Sequence, residues 1–350
     1  MRRYLSPLII PLFALTSFLN AFEPAFEEKA PSPFIDLEAR QQDFVLQTRR
    51  IHVPGYPDAF NPSITRWNDS LLMSFRARDV LTGLTNLILL TWLDENFDPI
   101  GNPQILKVYH KYPSGSLIQD PRLIVINDKL MLVYSNIWNL PNKGIRRVYI
   151  SEIEIEDDRF VAKNPEVILH FDVDPINKFE KNWVPFEYNG DLLLAYSINP
   201  HKIFLPIYGT KSCETLALTQ GDIHWNWGEI RGGTQALVVG NEYLSFFHSS
   251  KLMSTKHSNG EPMIHYFMGA YTFERDPPFA ITRMSPDIIV GKNFYNGSVY
   301  GTWKPLRVIF PCGFVFDNEF VWITYGRQDN ELWIVKLDRN KLLNSLIPVK

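Results

Sequence analysis

The chain has 350 residues, 45% of them hydrophobic and 21% charged, and a formal net charge of -3. That length and apolar share supply a large core and exclude a mainly disordered protein. No Lys/Arg block is present to neutralise a phosphate backbone, which excludes a general nucleic-acid binder. The two cysteines, Cys213 and Cys312, make at most one bridge and cannot form a disulfide scaffold or a Cys-based zinc site. The eight histidines show no tight ligand spacing, so no metal and no cofactor are expected.

The chain opens with a basic start, Met1-Arg2-Arg3-Tyr4, followed by the apolar run Leu5 to Leu19 and then Asn20-Ala21-Phe22. This pattern predicts a secretory signal over residues 1–21, cleaved near Ala21, with an uncleaved N-terminal anchor as the alternative. Pro7 and Pro11 interrupt the run, which is shorter than the roughly 20 apolar residues of a membrane span. The expected location is therefore exported, periplasmic or secreted, or anchored through this segment. Residues 22–50 are expected to be a lead-in, and 51–350 one folded domain.

Within that domain a polar turn followed by an alternating strand ending in an aromatic residue occurs five times. The turns are Asn68-Asp69, Asn127-Asp128, Asn189-Gly190, Gly240-Asn241 and Asp317-Asn318, and the aromatics are Phe75, Tyr134, Tyr196, Phe247 and Tyr325. Asn, Asp and Gly tolerate the left-handed backbone of tight hairpins. The repeats lie about 50–80 residues apart, room for four strands and their loops, and predict an all-β, five-bladed β-propeller. An array of β-sandwiches is the alternative. The one helical candidate is the short tail after Leu337.

In a propeller the strand starts and the ends of their hairpin partners meet on one rim around the axis. The starts supply Asn61, Asp120 with Arg122, Lys181 with Asn182, Arg231 and Pro311. The partner ends supply Arg76, Arg78, His248 and Asp329. Asn61, Arg76, Arg78, Arg122, Asn182 and Asp329 are the candidate substrate contacts. Trp183, Trp225 and Trp227 offer either sugar-stacking faces or blade packing.

One acid among several cations suits cleavage of a glycosidic bond by phosphate. The acid serves the leaving oxygen, phosphate is the nucleophile, and Arg forks with a Lys point charge hold the anion. Hydrolysis would call for a second carboxylate to activate water, for which Glu180, Glu187 and Glu214 are available. The same cations lower the pKa of Asp120, so an acid role also needs burial or a proton relay.

The motifs Phe60-Asn61-Pro62, Arg76-Ala77-Arg78, Asp120-Pro121-Arg122, Lys181-Asn182-Trp183, Arg231-Gly232-Gly233-Thr234, Phe310-Pro311-Cys312-Gly313 and Tyr325-Gly326-Arg327-Gln328-Asp329 together resemble glycoside hydrolase family 130. That family comprises β-mannoside phosphorylases, β-mannosidases and related β-1,2-mannosyltransferases. The resemblance runs from about Phe60 to the C-terminus. It implies that Asp120 is the general acid, acting through a sugar hydroxyl, and that Asn61, Arg76 and Asp329 hold the terminal mannose. It also implies that Arg147, Lys181 and His248 hold phosphate. Gln119 departs from the acidic residue that often precedes the Asp-Pro-Arg motif.

The expected activity is inverting phosphorolysis or mannosyl transfer on a β-mannoside oligosaccharide. Inorganic phosphate or a nucleotide sugar such as GDP-mannose is the co-substrate. The alternatives are an exported β-mannoside hydrolase and a non-catalytic glycan-binding propeller.

Overall fold

The computed structural model describes residues 34–78, 86–106, 118–138, 145–170, 179–298, 300 and 305–350. The signal segment expected over 1–21, and the lead-in as far as residue 33, lie outside the described residues. No helix among the described residues is long and apolar enough to cross a membrane.

The chain is all-β and propeller-like. Three four-stranded antiparallel meanders follow one another. Sheet I comprises Phe60–Trp67, Ser70–Arg78, Asn86–Leu93 and Pro99–Ile105. Sheet II comprises Gln119–Ile126, Lys129–Trp138, Ile145–Glu156 and Arg159–Ile168. Sheet III comprises Val184–Tyr188, Asp191–Ser197, His201–Ile207 and Ser212–Thr219. A seven-stranded sheet built on the long hairpin Glu242–Met253 and Met263–Glu274 comes next. The last sheet, IV, contains Ile309–Asp317, Phe320–Arg327 and Glu331–Asp338, and its fourth strand is Val45–Ile51 from the other end of the chain.

Four sheets therefore have the regular four-stranded form, where the repeat predicted five alike. The departure falls between Glu229 and Met284. There the inner strand is split into Glu229–Gly232 and Leu237–Val239, and the short segments Leu306–Arg307 and Ile347–Pro348 join the edges. The boundary expected at residue 50 also falls inside a strand. Thr48 pairs with Val335 and Arg50 with Trp333, so part of the lead-in completes sheet IV.

All five sequence hairpins are present. Their turns use left-handed residues, among them Asn68, Asp69, Asn127, Asp128, Asn189 and Asn318. Strand alternation sends successive side chains to opposite faces. Met73 and Phe75 of sheet I accordingly pack with Val315 and Ile334 of sheet IV, while Leu72 packs with Leu123 and Leu132 of sheet II. Similar apolar layers join sheet II to III, III to the large sheet, and the large sheet to IV. The helix Arg339–Ser345 follows the last strand, and the Asp338 carboxylate caps it by accepting the Lys341 N–H at 3.0 Å.

The inner strands border the axis, where proline is tolerated because no ladder donor is needed on that edge. Side chains serve the exposed carbonyls instead. Gln235 donates to Ile64 O at 3.2 Å and Phe314 O at 2.8 Å, and Thr324 donates to Pro62 O at 2.7 Å.

Candidate active site

Asn61 of sheet I, Asp120 of sheet II and Asn182, just ahead of sheet III, all have left-handed backbone, with φ of 51°, 55° and 65°. Asn and Asp accept this conformation more readily than other side chains. In the first two sheets the pairing register shifts at the following proline, between Phe60 and Ser63 and between Gln119 and Arg122. Such a bulge re-aims a side chain, here toward a shared cavity. That cavity has a volume of about 510 Å³, and its wall includes Asn61, Arg76, Arg78, Asp120, Lys181 and Asp329.

The Asp120 carboxylate is buried and accepts from the Arg76 guanidinium at 2.7 Å and the Asn61 amide at 2.9 Å. Burial pushes its proton affinity up, but Arg76, Lys181 and Arg122, with the Asn61 hydrogen bond, outweigh that effect. The carboxyl is held well below the usual carboxylate range. Arg76 also lies over the Phe60 ring, 4.5 Å from its centroid.

Arg122 is buried and ties three sheets together. It donates to Asp120 O at 3.0 Å, to the Asn182 side-chain oxygen at 3.2 Å and to Gly233 O. Arg122 and Asn182 thus form a brace beneath Asp120, and neither lines the cavity. Lys181 lines it with its side chain open to solvent. Desolvation by the wall, with repulsion from Arg146, Arg76 and Arg231, lowers its pKa against the pull of Asp120. Arg78, at the mouth, reaches Asp329 O, the Asn330 side chain and Asp58.

His248 is buried, and its Nδ1–H donates to Gly232 O at 2.9 Å. Burial, with Arg122, Lys181 and Arg231 nearby, pushes its pKa down to about 3, so the ring is neutral at pH 7. It is not a cation for an anion to meet; with Nδ1 donating, Nε2 presents a lone pair.

Arg147 is placed differently from the other basic residues. The groups that act on its charge are Glu180, Tyr149 and Tyr196. Its neighbour Arg146 is the one coupled to Asp120 and Arg76, and it donates to Ser135 Oγ at 3.3 Å. Adjacent strand residues face opposite ways, so only one of the pair turns toward Asp120. The sequence shows two arginines in a strand but not which face is inward. Tyr266, Leu306, Val308 and Phe310 also line the wall, with Phe60 and Gln119. Of these, Tyr266 and Leu306 have no signal in the hairpin repeat.

The three tryptophans pack. Trp183 is buried against Tyr196 and Phe204, Trp225 lies against Phe247 and Trp227 against Phe267. None of the three glutamates considered for water activation lines the cavity. Glu180 is buried and accepts from Trp183 Nε1, Glu187 accepts the N–H of turn residue Gly190, and Glu214 is exposed on an outer strand. Cys213 and Cys312 are not bridged to each other.

Comparison with known proteins identifies the family. Residues 28–347 match the glycoside hydrolase 130 family model, described as beta-1,4-mannooligosaccharide phosphorylase. Among solved structures, MPT-4, a mannose phosphorylase from Leishmania mexicana in complex with phosphate ion, is 14% identical with a TM-score of 0.58. The match covers 89% of this chain and 93% of that one. MPT-1, a GDP-Man-dependent mannosyltransferase from the same organism, is 12% identical with a TM-score of 0.60, covering 85% of this chain and 91% of that one. A glycosyl hydrolase from Bacteroides ovatus is 15% identical with a TM-score of 0.55, covering 81% and 85%. No curated protein sequence matches the chain. With a buried aspartate ringed by cations at the axis and the family match running through nearly its whole length, the chain belongs to glycoside hydrolase family 130 and is a carbohydrate-active enzyme.

Proposed function

We propose that the protein transfers the mannosyl group of a β-linked mannoside to an anionic acceptor, with inversion, and that phosphate is that acceptor. The observation that carries this reading is the charge of the site. Arg76, Arg78 and Lys181 line a cavity that holds two carboxyl groups among the described residues, and Arg122 and Arg146 add positive charge from behind. An anion entering there meets several donors, of which Arg76 is buried and held in place by Asp120.

Asp120 serves as the acid in this scheme. In the free site the cations keep it ionised. A bound phosphate neutralises them and raises its proton affinity, and a sugar hydroxyl carries the proton to the leaving oxygen. The seven-stranded sheet takes the place of a fifth blade, packed between sheets III and IV.

A second reading, transfer from a nucleotide sugar, is supported by the same cations, since a diphosphate presents the same chemistry. Incubation with β-linked mannobiose, with and without phosphate, separates the cases. Mannose 1-phosphate formed only with phosphate supports the proposal, whereas free mannose formed without it means hydrolysis. Consumption of GDP-mannose in the presence of an acceptor supports the second reading. Binding without turnover leaves a glycan-binding propeller.

A further inference from the structure

Among the described residues two carboxyl groups line the cavity, and their surroundings differ. Asp120 is held by Arg76 and Asn61. The Asp329 carboxyl group accepts no hydrogen bond and makes no ion pair among the described residues. Arg78 reaches only its main chain, directing its other contacts to Asn330 and Asp58.

Asp329 is nevertheless firmly placed. Gln328 and Asp329 both have left-handed backbone, with φ of 57° and 49°. Gln328 clamps this turn to the cavity wall: its N–H donates to Val308 O at 3.0 Å and its side-chain oxygen accepts the Val308 N–H at 3.1 Å. The buried Arg327–Glu331 ion pair closes the other side. The same left-handed pair occurs in the ordinary turns Asn68-Asp69 and Asn127-Asp128, so it is the Gln328–Val308 clamp that sets this turn against the cavity.

The groups that act on Asp329 come from every neighbouring element: Arg76 and Arg78 of sheet I, Asp120 of sheet II, Lys181 ahead of sheet III, and Tyr266 of the large sheet. Burial raises its proton affinity and Asp120 adds to this, while Arg76, Lys181 and Arg78 oppose without cancelling it. Of the two carboxyl groups, the one without a partner among the described residues therefore takes up a proton more readily than Asp120.

We propose that Asp329 is a catalytic residue as well as a sugar contact: the proton needed at the leaving oxygen enters the site on its carboxyl group and reaches Asp120 through a hydroxyl of the bound sugar. This rests on the β-mannoside reading above. The Asp329 O–H bond breaks, its proton passes to the hydroxyl oxygen, and that hydroxyl's own proton moves to Asp120. The glycosidic C1–O bond then breaks with its electron pair on the leaving oxygen, which takes the proton relayed from Asp120. An oxygen of hydrogen phosphate supplies the pair for the new C1–O bond. The proton of the resulting phosphate ester returns to Asp329, so acid and charge are restored.

The test is a carboxyl titration of the free protein by infrared difference spectroscopy or carbon-13 NMR, in wild type, Asp329→Asn and Asp120→Asn. One carboxyl titrating above the ordinary aspartate range is expected, absent in Asp329→Asn and shifted to lower pH in Asp120→Asn. A signal that survives in Asp329→Asn, or no such signal in wild type, overturns the proposal. With β-mannobiose and phosphate, Asp329→Asn should lower kcat about 100-fold or more and leave KM within a few fold. A raised KM at unchanged kcat would reduce Asp329 to a sugar contact and overturn the catalytic role. Absence of wild-type turnover would sink the mannoside reading and the proton transfer built on it, while the titration alone still shows whether Asp329 holds the proton.

Discussion

The Asn61 amide donates a 2.9 Å hydrogen bond to the Asp120 carboxylate, joining corresponding left-handed positions of two neighbouring sheets. Behind Asn61 stands Gly326, where an added Cβ would run into the Asn61 side-chain oxygen and main-chain nitrogen. Gly326→Ala should therefore displace Asn61 and loosen Asp120. We expect turnover to fall by about 100-fold and stability by about 1–3 kcal/mol, the usual range for overpacking. Steady-state kinetics and a urea melt check both, and an unchanged kcat would show that Asp120 does not depend on this contact.

Asp120→Asn removes the anchored negative charge while keeping its shape. Turnover should drop at least about 100-fold, as for loss of a general acid. Phosphate affinity should be retained or increased, because Arg76, Lys181 and Arg122 lose their opposing charge. Isothermal titration with inorganic phosphate measures this, and clearly weaker binding would contradict the electrostatic account.

Arg146 and Arg147 should separate sharply. Losing a donor in contact with an anion costs about 1.5–3 kcal/mol, and losing a positive charge behind the cavity wall costs less, roughly several-fold in affinity. That loss is expected at Arg146→Ala, whose charge couples to Asp120 and Arg76, and not at Arg147→Ala, whose charge couples to Glu180. The KM for phosphate in the two variants decides the point, and the reverse order would favour Arg147 as the anion ligand.

Three buried histidines predict a stability that depends on acid. His201, His248 and His265 are pushed down to about 4, 3 and 4, chiefly by burial. Unfolded, each titrates near 6.5, so the unfolded chain binds more protons throughout the window between these values. Their contribution is complete above about pH 6.5 and is lost as pH falls toward 4, at up to about 1.4 kcal/mol per unit for each group. The Asp120 contribution is lost only at still lower pH, because its carboxyl lies below the ordinary range. Denaturant melts between pH 7.5 and 4.5 should show the slope. His201→Asn, which keeps a donor to Phe279 O, should make it shallower, and an unchanged slope would count against this origin.

The hairpins were legible in the chain because they are local. Asn68-Asp69 or Asn189-Gly190 between alternating apolar strands leaves little choice of backbone, and the steady recurrence of that unit implied a sheet-on-sheet ring. The same alternation placed Asn61, Asp120 and Asp329 near one axis before any coordinates, since strand starts in such a ring must converge. It failed between Glu229 and Met284, where the extra strands come from residues 306–307 and 347–348, far along the chain.

By itself, then, the sequence determined the all-β class, the hairpins and the identity of the acidic and basic groups, all consequences of local backbone preference and strand periodicity. Tertiary structure alone decided which of Arg146 and Arg147 faces Asp120, that His248 is neutral, that Arg122 braces rather than lines the cavity, and that the Asp329 carboxyl group has no partner among the described residues. Each of those depends on burial and on charges brought from other sheets, quantities that no stretch of neighbouring residues contains.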